Sequence, residues 1–380
     1  MSYDKHDLTT VDGLLAYLQS TPPFAAKSAT SLAGGNTNYV YRIHLQMPYE
    51  GGATLVVKHS KPYLGRSMQE STFAGSRQVF EVGALHRVRR FLPADAPMTV
   101  PVVHHFDEAA HVIIMDDAGE DAATLKQLIL DHALDVPMLE AIGRATGHFL
   151  AQLHTLGTQD EEARRWASGN TLAREISAWA TYGRLVSTID GSSTIPALCD
   201  PPLQINPGAL GVLGEVARIR ADQIMSLNET FTMGDFWPGN FLVRSRLNPD
   251  GTRHLARIFV VDWEVCKASH AGFDVGQFCG DLRVLLQAHP ELRSSVEPLV
   301  SAFVQEYTMQ RPGPDVTWAS VAAVHFGVHM VTWGPLIPYD TATRESTRAL
   351  VEEGVQIIQE GYKDQNWTPS RFAGLLVRGM

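Results

Sequence analysis

The residues whose types and spacing could carry out chemistry lie in a loop and in a strand end near the middle of the chain. In the loop, Asp235 precedes Asn240 by five residues, and the residues around them that disfavour regular structure are Gly234, Pro238 and Gly239. In the strand, the apolar residues from Ile258 to Val261 end in Asp262. Kinases present a catalytic base and two magnesium ligands in this order, with an acid and an amide in one loop and an acid at a strand end. The pattern therefore predicts phosphoryl transfer, provided that the rest of the chain supplies the parts that hold a nucleotide.

Length and composition predict a folded protein of two lobes. The chain has 380 residues, which is more than one ordinary hydrophobic core serves. Its hydrophobic fraction of 44% and its charged fraction of 19% are typical of globular proteins. The formal net charge of -10 argues against a nucleic-acid partner and is compatible with a cationic small substrate.

The cysteines and the N-terminus predict a cytoplasmic protein with no membrane segment. The three cysteines, Cys199, Cys266 and Cys279, are an odd number without metal-ligand spacing, so we expect reduced thiols. The polar N-terminus differs from a signal peptide, and no apolar run reaches the roughly 20 residues of a membrane helix. The sequence is compatible with either a monomer or a homodimer.

A predicted hairpin near the N-terminus carries the candidate parts of a nucleotide site. Apolar and polar residues alternate from Tyr39 to Met47, as in a strand with one buried face, and a second strand follows over Ala53–His59. The loop before them contains Gly34 and Gly35, which either bring backbone N–H groups to phosphates or form a simple turn. For a short motif without support, the turn is the commoner explanation. Lys58, at the end of the second strand, is either a phosphate ligand or an edge-strand lysine in solvent.

A helix predicted from Arg77 to Phe91 offers a partner for Lys58. Helical spacing places Glu81 on the same face as the apolar residues Leu85, Val88 and Leu92. An acid on an apolar face is costly unless it is paired. Arg77 is the alternative partner, four residues earlier, in a surface pair worth only about 0.3–0.5 kcal/mol. The inward face favours the pair of Lys58 and Glu81.

A short buried strand over His111–Met115 predicts the boundary between the lobes. Asp116 interrupts this strand, and in a two-lobed kinase the backbone meets adenine at this point, so Met115 and Asp116 are candidate adenine contacts. We expect a nucleotide-binding lobe over residues 1–115 and a catalytic and substrate-binding lobe over residues 116–380. The predicted fold class is α+β, with a small antiparallel sheet in the N-terminal lobe and a larger, mostly helical C-terminal lobe.

Three histidines and an acid in the C-terminal part leave alternatives open. His325 and His329 stand four residues apart, a spacing that zinc sites use, but the Glu of the H-E-x-x-H motif is absent and no third ligand is evident. We therefore favour core or pocket histidines. Asp274 either caps the helix that follows or braces the loop of Asp235. His154 is interpreted as a packing residue or as one that interacts with a helix dipole.

Together these motifs resemble the aminoglycoside phosphotransferase and choline kinase group, which shares the bilobal protein-kinase-like fold. The matching stretches are Gly234–Asn240, Val261–Glu264, Leu150–His154 and Gly272–Asp274. Among the branches of this group, the chain is most similar to the methylthioribose kinase-like fungal proteins, which include 4-hydroxytryptamine kinase. The resemblance runs from about Leu32 to Trp333. Its motifs are specific for the superfamily and say little about the substrate.

The resemblance implies ATP and Mg²⁺ as cofactors and assigns roles to residues. Lys58 would bind the α- and β-phosphates of ATP, and Glu81 would hold it. Asp235 would accept the proton of the substrate hydroxyl or orient that hydroxyl, and Asn240 and Asp262 would bind magnesium. The nucleotide-binding candidates are Gly34, Gly35, Asn38, Lys58, Glu81, Met115 and Asp116.

Two departures from the family pattern bear on activity and on the substrate. Met233 stands where the family usually has a histidine that braces the loops. Losing one such hydrogen bond costs about 1 kcal/mol, which is small beside the roughly 10²–10⁴-fold contribution of a general base. Residues 325–334 lack the paired arginine of methylthioribose kinases, which favours a hydroxylated aromatic amine such as 4-hydroxytryptamine. The candidate substrate contacts are Trp237, Glu264, His329 and Trp333.

The leading hypothesis is a cytoplasmic, ATP- and magnesium-dependent kinase of a small-molecule hydroxyl, of the kind that serves secondary metabolism. The alternative acceptors are methylthioribose and aminoglycosides. A hypothesis of another class is a nucleotide-binding pseudokinase scaffold, motivated by Met233 and by the atypical glycine loop. The retained Lys58 and Asp235 argue against the scaffold. A protein kinase is disfavoured because no activation segment is recognisable after Asp262.

Overall fold

The computed structural model describes residues 6–32, 38–60, 73–247, 253–311, 317–364 and 366–376. The chain divides into two compact units. The first comprises Met1–Ala122 together with Phe259–Glu264, and the second comprises Ala123–Ile258 together with Val265–Met380. The short stretch that ends in Glu264 thus leaves the second unit and contributes to the first.

The first unit is built on an antiparallel sheet. Its strands are β1 (Ala26–Ser31), β2 (Asn38–Tyr49), β3 (Gly52–Ser60), β4 (Met98–Thr99), β5 (Val103–Asp107) and β6 (Val112–Asp116). Five of them form one sheet in the order β1-β2-β3-β6-β5, with antiparallel neighbours throughout. Its helices are α1 (Val11–Gln19) and α2 (Phe73–Phe91). The predicted hairpin is therefore β2 and β3 at the centre of this sheet.

The alternation of side chains between the two faces of β3 explains why Lys58 is separated from the apolar core on one face of the sheet. Leu55 and Val57 are buried in a cluster that also holds Leu14 and Leu18 of α1. Successive side chains of a strand point to opposite faces. Lys58 therefore projects from the other face of β3, where it meets α2.

The second unit is mostly helical. Its helices are α3 (Leu125–Leu130), α4 (Val136–Gln159), α5 (Glu161–Ser168), α6 (Thr171–Ser177), α7 (Leu185–Ile189), α8 (Pro196–Cys199), α9 (Pro207–Ser226), α10 (Gly272–Ala288), α11 (Arg293–Gln310), α12 (Thr317–Thr332), α13 (Arg344–Lys363) and α14 (Pro369–Ala373). A π-helical turn over Ala178–Gly183 separates α6 from α7. Its strands are β7 (Ala123–Thr124), β8 (Thr230–Thr232), β9 (Phe241–Leu247), β10 (Arg253–Val260) and β11 (Lys267–Ser269). The last residues of β10, from Phe259, belong to the first unit.

Two short antiparallel strand pairs hold the loop that carries Asp235 and Asn240 in this unit. β8 pairs with β11, with Thr232 opposite Lys267, and β7 pairs with β9. The loop from Met233 to Asn240 joins β8 to β9. Both of its ends are therefore fixed by strand hydrogen bonds.

Glycines let α10 and α12 approach closely. A Cβ atom at Gly276 would lie 2.6 Å from the carbonyl oxygen of Ala322 and 2.9 Å from Cβ of His325. One turn on, a Cβ atom at Gly280 would lie 3.0 Å from Cβ of His329. The close approach brings both histidines of α12 against the face of α10.

The predicted α+β class is confirmed, with an antiparallel sheet in the N-terminal unit and a mostly helical C-terminal unit. The stretch Gly191–Gly211 is rich in Ser, Pro and Gly, which predicts an irregular loop. That prediction is wrong in part, because α8 and the start of α9 lie within the stretch. Proline at the first position of each helix supplies the fixed φ that favours a helix start.

No helix in the described part of the chain is both long enough and apolar enough to span a membrane.

Replacing Gly147 of α4 by alanine is expected to destabilise the fold. Its Cβ would lie 2.5 Å from the carbonyl oxygen of Phe303 on α11. Backbone cannot yield as a flexible side chain does, so we expect a loss of about 1–3 kcal/mol in the free energy of unfolding, measured by urea denaturation. The matched control is Gly211→Ala on α9, where nothing lies within 4 Å of the new Cβ. That variant is expected to gain up to about 1 kcal/mol, and equal effects of both substitutions would contradict the packing described.

Candidate functional site

In the first unit, Lys58 lies among three carboxylates. Its Nζ donates to Glu81 Oε1 at 2.8 Å and to Asp262 Oδ1 at 2.7 Å. Glu264 Oε2 lies further off, at 4.0 Å from the same nitrogen. The strand β3, the helix α2 and the segment that follows β10 each contribute one part of this cluster. The structure thus brings together residues that are 23 and 204 positions apart in the sequence.

Glu264 has its own set of donors in the same unit. Arg77 Nη1 lies 3.0 Å from Glu264 Oε1, and Asn38 Nδ2 lies 3.1 Å from Oε2. The hydroxyl of Ser60 donates to the amide oxygen of Asn38. Arg77 was the alternative partner considered for Glu81, and the structure instead pairs it with Glu264. In the first unit Glu264 is thus part of the charged cluster around Lys58.

The electrostatics of the cluster keep the lysine charged. Burial alone would lower the pKa of Lys58, but the negative charges of Asp262, Glu81 and Glu264 outweigh it and raise the pKa above its ordinary value. Burial also raises the pKa of Glu81, against the opposing effect of Lys58. With Arg77 included, two cations face three carboxylates. The cluster therefore tends towards excess negative charge, which a further cation would relieve.

Asp262 adopts a backbone conformation that is uncommon outside glycine. Its φ of 67° lies in the left-handed region. Asp and Asn tolerate this region better than other residues with a Cβ. The conformation turns the chain two residues after the end of β10, at the acid that Lys58 contacts. An aspartate at position 262 is therefore favoured by the local backbone conformation as well as by its charge.

The chemistry of this cluster fits a hard divalent cation. Ligand atoms of Glu81, Asp262 and Glu264 lie within 4.8 Å of one another, and they form the one such His, Cys, Asp and Glu group found among the described residues. Magnesium is bound in proteins through one or two carboxylates together with water and substrate phosphates. Asp262 is the member of the group that is more than one-third exposed, with 37% of its side chain accessible. It is thus the carboxylate most able to share an incoming cation.

In the second unit, side-chain donors converge on the carboxylate of Asp235. Gln277 Nε2 donates to Oδ1 at 2.9 Å, and Asn240 Nδ2 donates to Oδ2 at 2.9 Å. The indole of Trp237 donates to the same Oδ2 at 3.2 Å. Asn240 uses its Nδ2 to donate both to the carboxylate and to the backbone carbonyl oxygen of Asp235. The amide oxygen Oδ1 of Asn240, which is the atom that a cation would bind, therefore makes no contact of this kind with Asp235. The carboxylate orientation is fixed from both sides.

Asp274 of α10 braces the loop that carries Asp235. Its carboxylate accepts the backbone N–H groups of Met233 and Gly234, both at 2.9 Å. His154 Nε2 lies 3.1 Å from the same carboxylate, and its Nδ1 lies 2.8 Å from the hydroxyl of Tyr307. No side-chain cap at the start of α10 involves Asp274. Of the two interpretations left open by the sequence, the structure therefore selects bracing, and it makes His154 part of the brace.

Gly234 is required by both its conformation and its surroundings. Its φ is 79°, and a Cβ there would lie 2.3 Å from Lys267 Nζ and 2.5 Å from the carbonyl oxygen of Val265. Lys267 is buried and donates to that carbonyl at 3.1 Å. Burial lowers the pKa of Lys267, although the charges of Asp274 and Asp235 oppose the shift. The side chain of Lys267 and the carbonyl group of Val265 thus fill the space beside Gly234.

The predicted aromatic contacts lie in the second unit with cations over their rings. Lys126 Nζ stands 5.4 Å from the ring centre of Trp237 and 5.0 Å from that of Tyr339. The guanidinium of Arg184 lies 4.8 Å from the ring centre of Trp333. Residues 325–334 contain no arginine, but the fold supplies one from the turn before α7. That guanidinium also donates to the carbonyl oxygens of Ala180 and Thr332.

The two histidines of α12 have different surroundings. His325 is buried, and its Nδ1 lies at hydrogen-bonding distance, 2.7 Å, from the hydroxyl oxygen of Tyr182. His329 Nε2 lies 3.7 Å from Asp281 Oδ1, outside hydrogen-bonding distance. Neither histidine belongs to the metal-compatible group found among the described residues. The favoured interpretation as core or pocket histidines therefore agrees with the geometry.

Some candidates fall elsewhere, and some important residues were missed. Gly34 and Gly35 lie outside the described residues. Met115 is buried at the end of β6, and Asp116 accepts the backbone N–H of Val102 at 3.0 Å and His104 Nε2 at 2.8 Å. The sequence interpretation missed Gln277, Lys126, Tyr339 and Asp281. The spacing of Gln277 three residues after Asp274 was the signal that could have found it, since both then share one face of α10.

Comparison with known proteins gives a family match. The sequence profile of the phosphotransferase enzyme family matches residues 28–312. A 4-hydroxytryptamine kinase from Psilocybe cyanescens is 27% identical over 366 residues, covering 94% of this chain and 94% of that protein. A 4-hydroxytryptamine kinase from Psilocybe cubensis is 27% identical over 359 residues, covering 92% of each. A methylthioribose kinase from Bacillus mycoides (strain KBAB4) is 25% identical over 290 residues, covering 73% of this chain and 67% of that protein.

Substitution of the bracing acid tests the geometry of the loop. We expect Asp274→Asn to lose about 3 kcal/mol in the free energy of unfolding, because the N–H groups of Met233 and Gly234 would lose their charged acceptor. Urea denaturation followed by circular dichroism measures the loss. Asp222→Asn, which removes an exposed acid paired with Arg218, is the control and should change stability by less than about 0.5 kcal/mol. An Asp274→Asn variant as stable as this control would refute the brace.

The buried His325 predicts a pH dependence of stability. Burial lowers its pKa well below the ordinary value, so the folded state leaves it neutral while the unfolded chain takes up a proton below about pH 6.5. Stability is therefore complete above that pH and falls as the pH falls. Between pH 7.5 and 5.5 we expect the wild type to lose about 1.4 kcal/mol more than His325→Asn does. Identical pH profiles of the two proteins in urea denaturation would contradict the buried neutral imidazole.

Proposed function

The chain belongs to the phosphotransferase enzyme family and is an enzyme that phosphorylates small molecules, and we propose that it transfers the γ-phosphoryl group of ATP to a hydroxyl. We further propose that the acceptor is a hydroxylated aromatic amine, with 4-hydroxytryptamine as the leading example. The observation that carries the proposal is the carboxylate of Asp235, which Gln277, Asn240 and Trp237 orient from both sides.

Asp235 is proposed as the group that receives the hydroxyl proton. The hydroxyl oxygen forms a bond to the γ-phosphorus while the bond from that phosphorus to the β–γ bridging oxygen breaks. The proton of the hydroxyl passes to the carboxylate, and ADP leaves with the bridging oxygen. Such a reaction depends mainly on positioning and on charge stabilisation. A carboxylate with both oxygens fixed by donors meets the first requirement.

Lys58 is proposed as the cation that binds the nucleotide phosphates. Glu81 keeps its Nζ at a fixed position, and the neighbouring carboxylates keep it charged. The magnesium ligands that we propose remain Asp262 and Asn240. When bound, the ion supplies positive charge to the phosphate oxygens. The carboxylate chemistry of the Asp262 cluster supports this assignment.

The substrate class rests on the aromatic character of the second unit and on the relatives. Trp237 and Tyr339 flank one lysine, and the indole of Trp237 contacts the proposed base directly. Arg184 stands near Trp333, but its Nε and Nη2 donate to backbone carbonyls, so it is less available to a sugar acceptor than an unengaged arginine would be. The two Psilocybe relatives named for 4-hydroxytryptamine cover more of this chain than the methylthioribose kinase does. These observations favour an aromatic acceptor over methylthioribose.

A scaffold without activity is the less favoured alternative. Its motivation was the atypical glycine loop, whose Gly34 and Gly35 lie outside the described residues, together with Met233 in place of a histidine that braces the loops. The backbone N–H of Met233 is bound by Asp274, which His154 supports from behind. The loop is therefore braced although that histidine is absent, and the main reason for expecting inactivity is weakened.

Activity of the variant Asp235→Asn tests the proposed base. With ATP, Mg²⁺ and a panel of hydroxytryptamines, methylthioribose and aminoglycosides, the wild type should release ADP fastest with a hydroxytryptamine. The amide cannot take the proton, so we expect kcat to fall roughly 10²–10⁴-fold while ATP binding persists. Asp222→Asn, an exposed acid of the same unit, should retain wild-type activity. Undiminished turnover by Asp235→Asn would exclude the mechanism.

A further inference from the structure

A buried acid, Asp281, lies on the same helix that orients the proposed base. Its residue is 3% exposed. In the part of the chain that the structure describes, its one ion-pair partner is His329, whose Nε2 lies 3.7 Å from Asp281 Oδ1. That nitrogen is itself buried without a hydrogen-bond partner among the described residues. Asp281 and His329 thus face each other at a distance that is too long for a hydrogen bond.

This arrangement lacks a strong positive charge. A buried carboxylate is costly unless a cation and hydrogen-bond donors compensate it. The imidazole of His329, at 3.7 Å, makes no hydrogen bond of normal length to Asp281. Arg283, two residues further along α10, is committed to Glu353 and Gln287. Among the described side chains, no lysine or arginine is thus paired with Asp281.

The position of Asp281 along α10 relates it to the proposed base. Asp274, Gln277 and Asp281 follow one another at spacings of three and four residues, which places them on one face of the helix. Asp274 holds the loop of Asp235, and Gln277 donates to Asp235 itself. Four residues of helix rise about 6 Å. Asp281 therefore lies about one helical turn beyond the residue that contacts the base.

Aromatic and polar groups surround the same region. The negative charge of Asp281 contributes, after burial, to raising the pKa of Tyr339. The hydroxyl of Tyr339 is buried without a hydrogen-bond partner among the described residues. Its ring shares Lys126 with Trp237, which donates to Asp235. A ring-shaped molecule would thus meet Trp237 near the base and Tyr339 near Asp281.

We propose that Asp281 binds the ammonium group of an aromatic amine whose hydroxyl is presented to Asp235. The proposal rests on the function proposed above and specifies how that site selects a cationic acceptor. The ammonium group donates to the carboxylate and supplies the missing charge. The unpartnered Tyr339 hydroxyl and His329 Nε2 are further polar groups that the bound amine can engage. Selection of the substrate therefore depends on its charge as well as on its ring.

Binding of compounds that cannot be phosphorylated tests this proposal apart from turnover. Calorimetry compares tryptamine, which carries the amine but no hydroxyl, with N-acetyltryptamine, which carries neither hydroxyl nor charge. The wild type should bind tryptamine more tightly, and Asp281→Asn should weaken tryptamine roughly 10- to 100-fold while changing the neutral compound little. The control Asp340→Asn, an exposed acid beside Tyr339, should bind both compounds as the wild type does. Equal tryptamine binding by wild type and Asp281→Asn would overturn the proposal.

Further comparisons keep the proposal testable if Asp281→Asn is unstable. In the wild type alone, a preference of less than about tenfold for tryptamine over its neutral analogue would reject the charge selection. Asp281→Glu, which keeps the negative charge, should retain the preference for tryptamine over its neutral analogue, and loss of that preference equal to the loss in Asp281→Asn would make Asp281 merely structural. If Asp281 governs tryptamine binding but no hydroxytryptamine is phosphorylated, the proposed function fails and the amine site stands. If hydroxytryptamine is phosphorylated equally well by Asp281→Asn, the amine site fails and the function stands.

Discussion

The hydrogen bonds from the backbone of Met233 and Gly234 to Asp274 are the constraint on which the catalytic loop depends. They connect a loop of irregular backbone to a long helix, so the loop acquires the rigidity of α10. The same helix then provides Gln277 to the carboxylate of Asp235. Because the bracing acid is fully buried and is supported by His154, its charge acts through short contacts in a region from which water is excluded. The position of the proposed base is therefore determined by α10 as well as by the loop.

The charged cluster of the first unit follows a different principle. Lys58 cannot remain charged in a buried position without anions, and Asp262 and Glu81 supply them. The cluster contains more carboxylates than cations, so it is poised for a further positive ion. Asp262 combines the exposure that a metal requires with a left-handed backbone that Asp tolerates. Asn is therefore the substitution that would remove its charge with least disturbance of the turn.

Much of the fold could be predicted because local patterns decided it. The alternation in β2 and the inward face of α2 were sufficient to predict a sheet lysine and the helix acid that meets it, since both depend on neighbouring residues. The roles of Asp281 and Gln277 were not accessible in this way. They depend on the packing of α10 against α12 and on contacts between residues more than forty positions apart, which periodicity does not encode. The pairing of Arg77 with Glu264 was missed for the same reason, because 187 positions separate the two residues.

An aromatic amine acceptor unites features that are otherwise unrelated. The indole of Trp237 at the base, the ring of Tyr339 and the buried acid on α10 suit one molecule with a hydroxyl, a flat ring and a positive charge. The most direct test of the account is phosphorus NMR of the wild-type protein incubated with ATP, Mg²⁺ and 4-hydroxytryptamine. The account predicts a new phosphate monoester signal that grows as ATP is converted to ADP. Binding of ATP without any phosphate ester, with this compound or any other small hydroxyl compound, would contradict it.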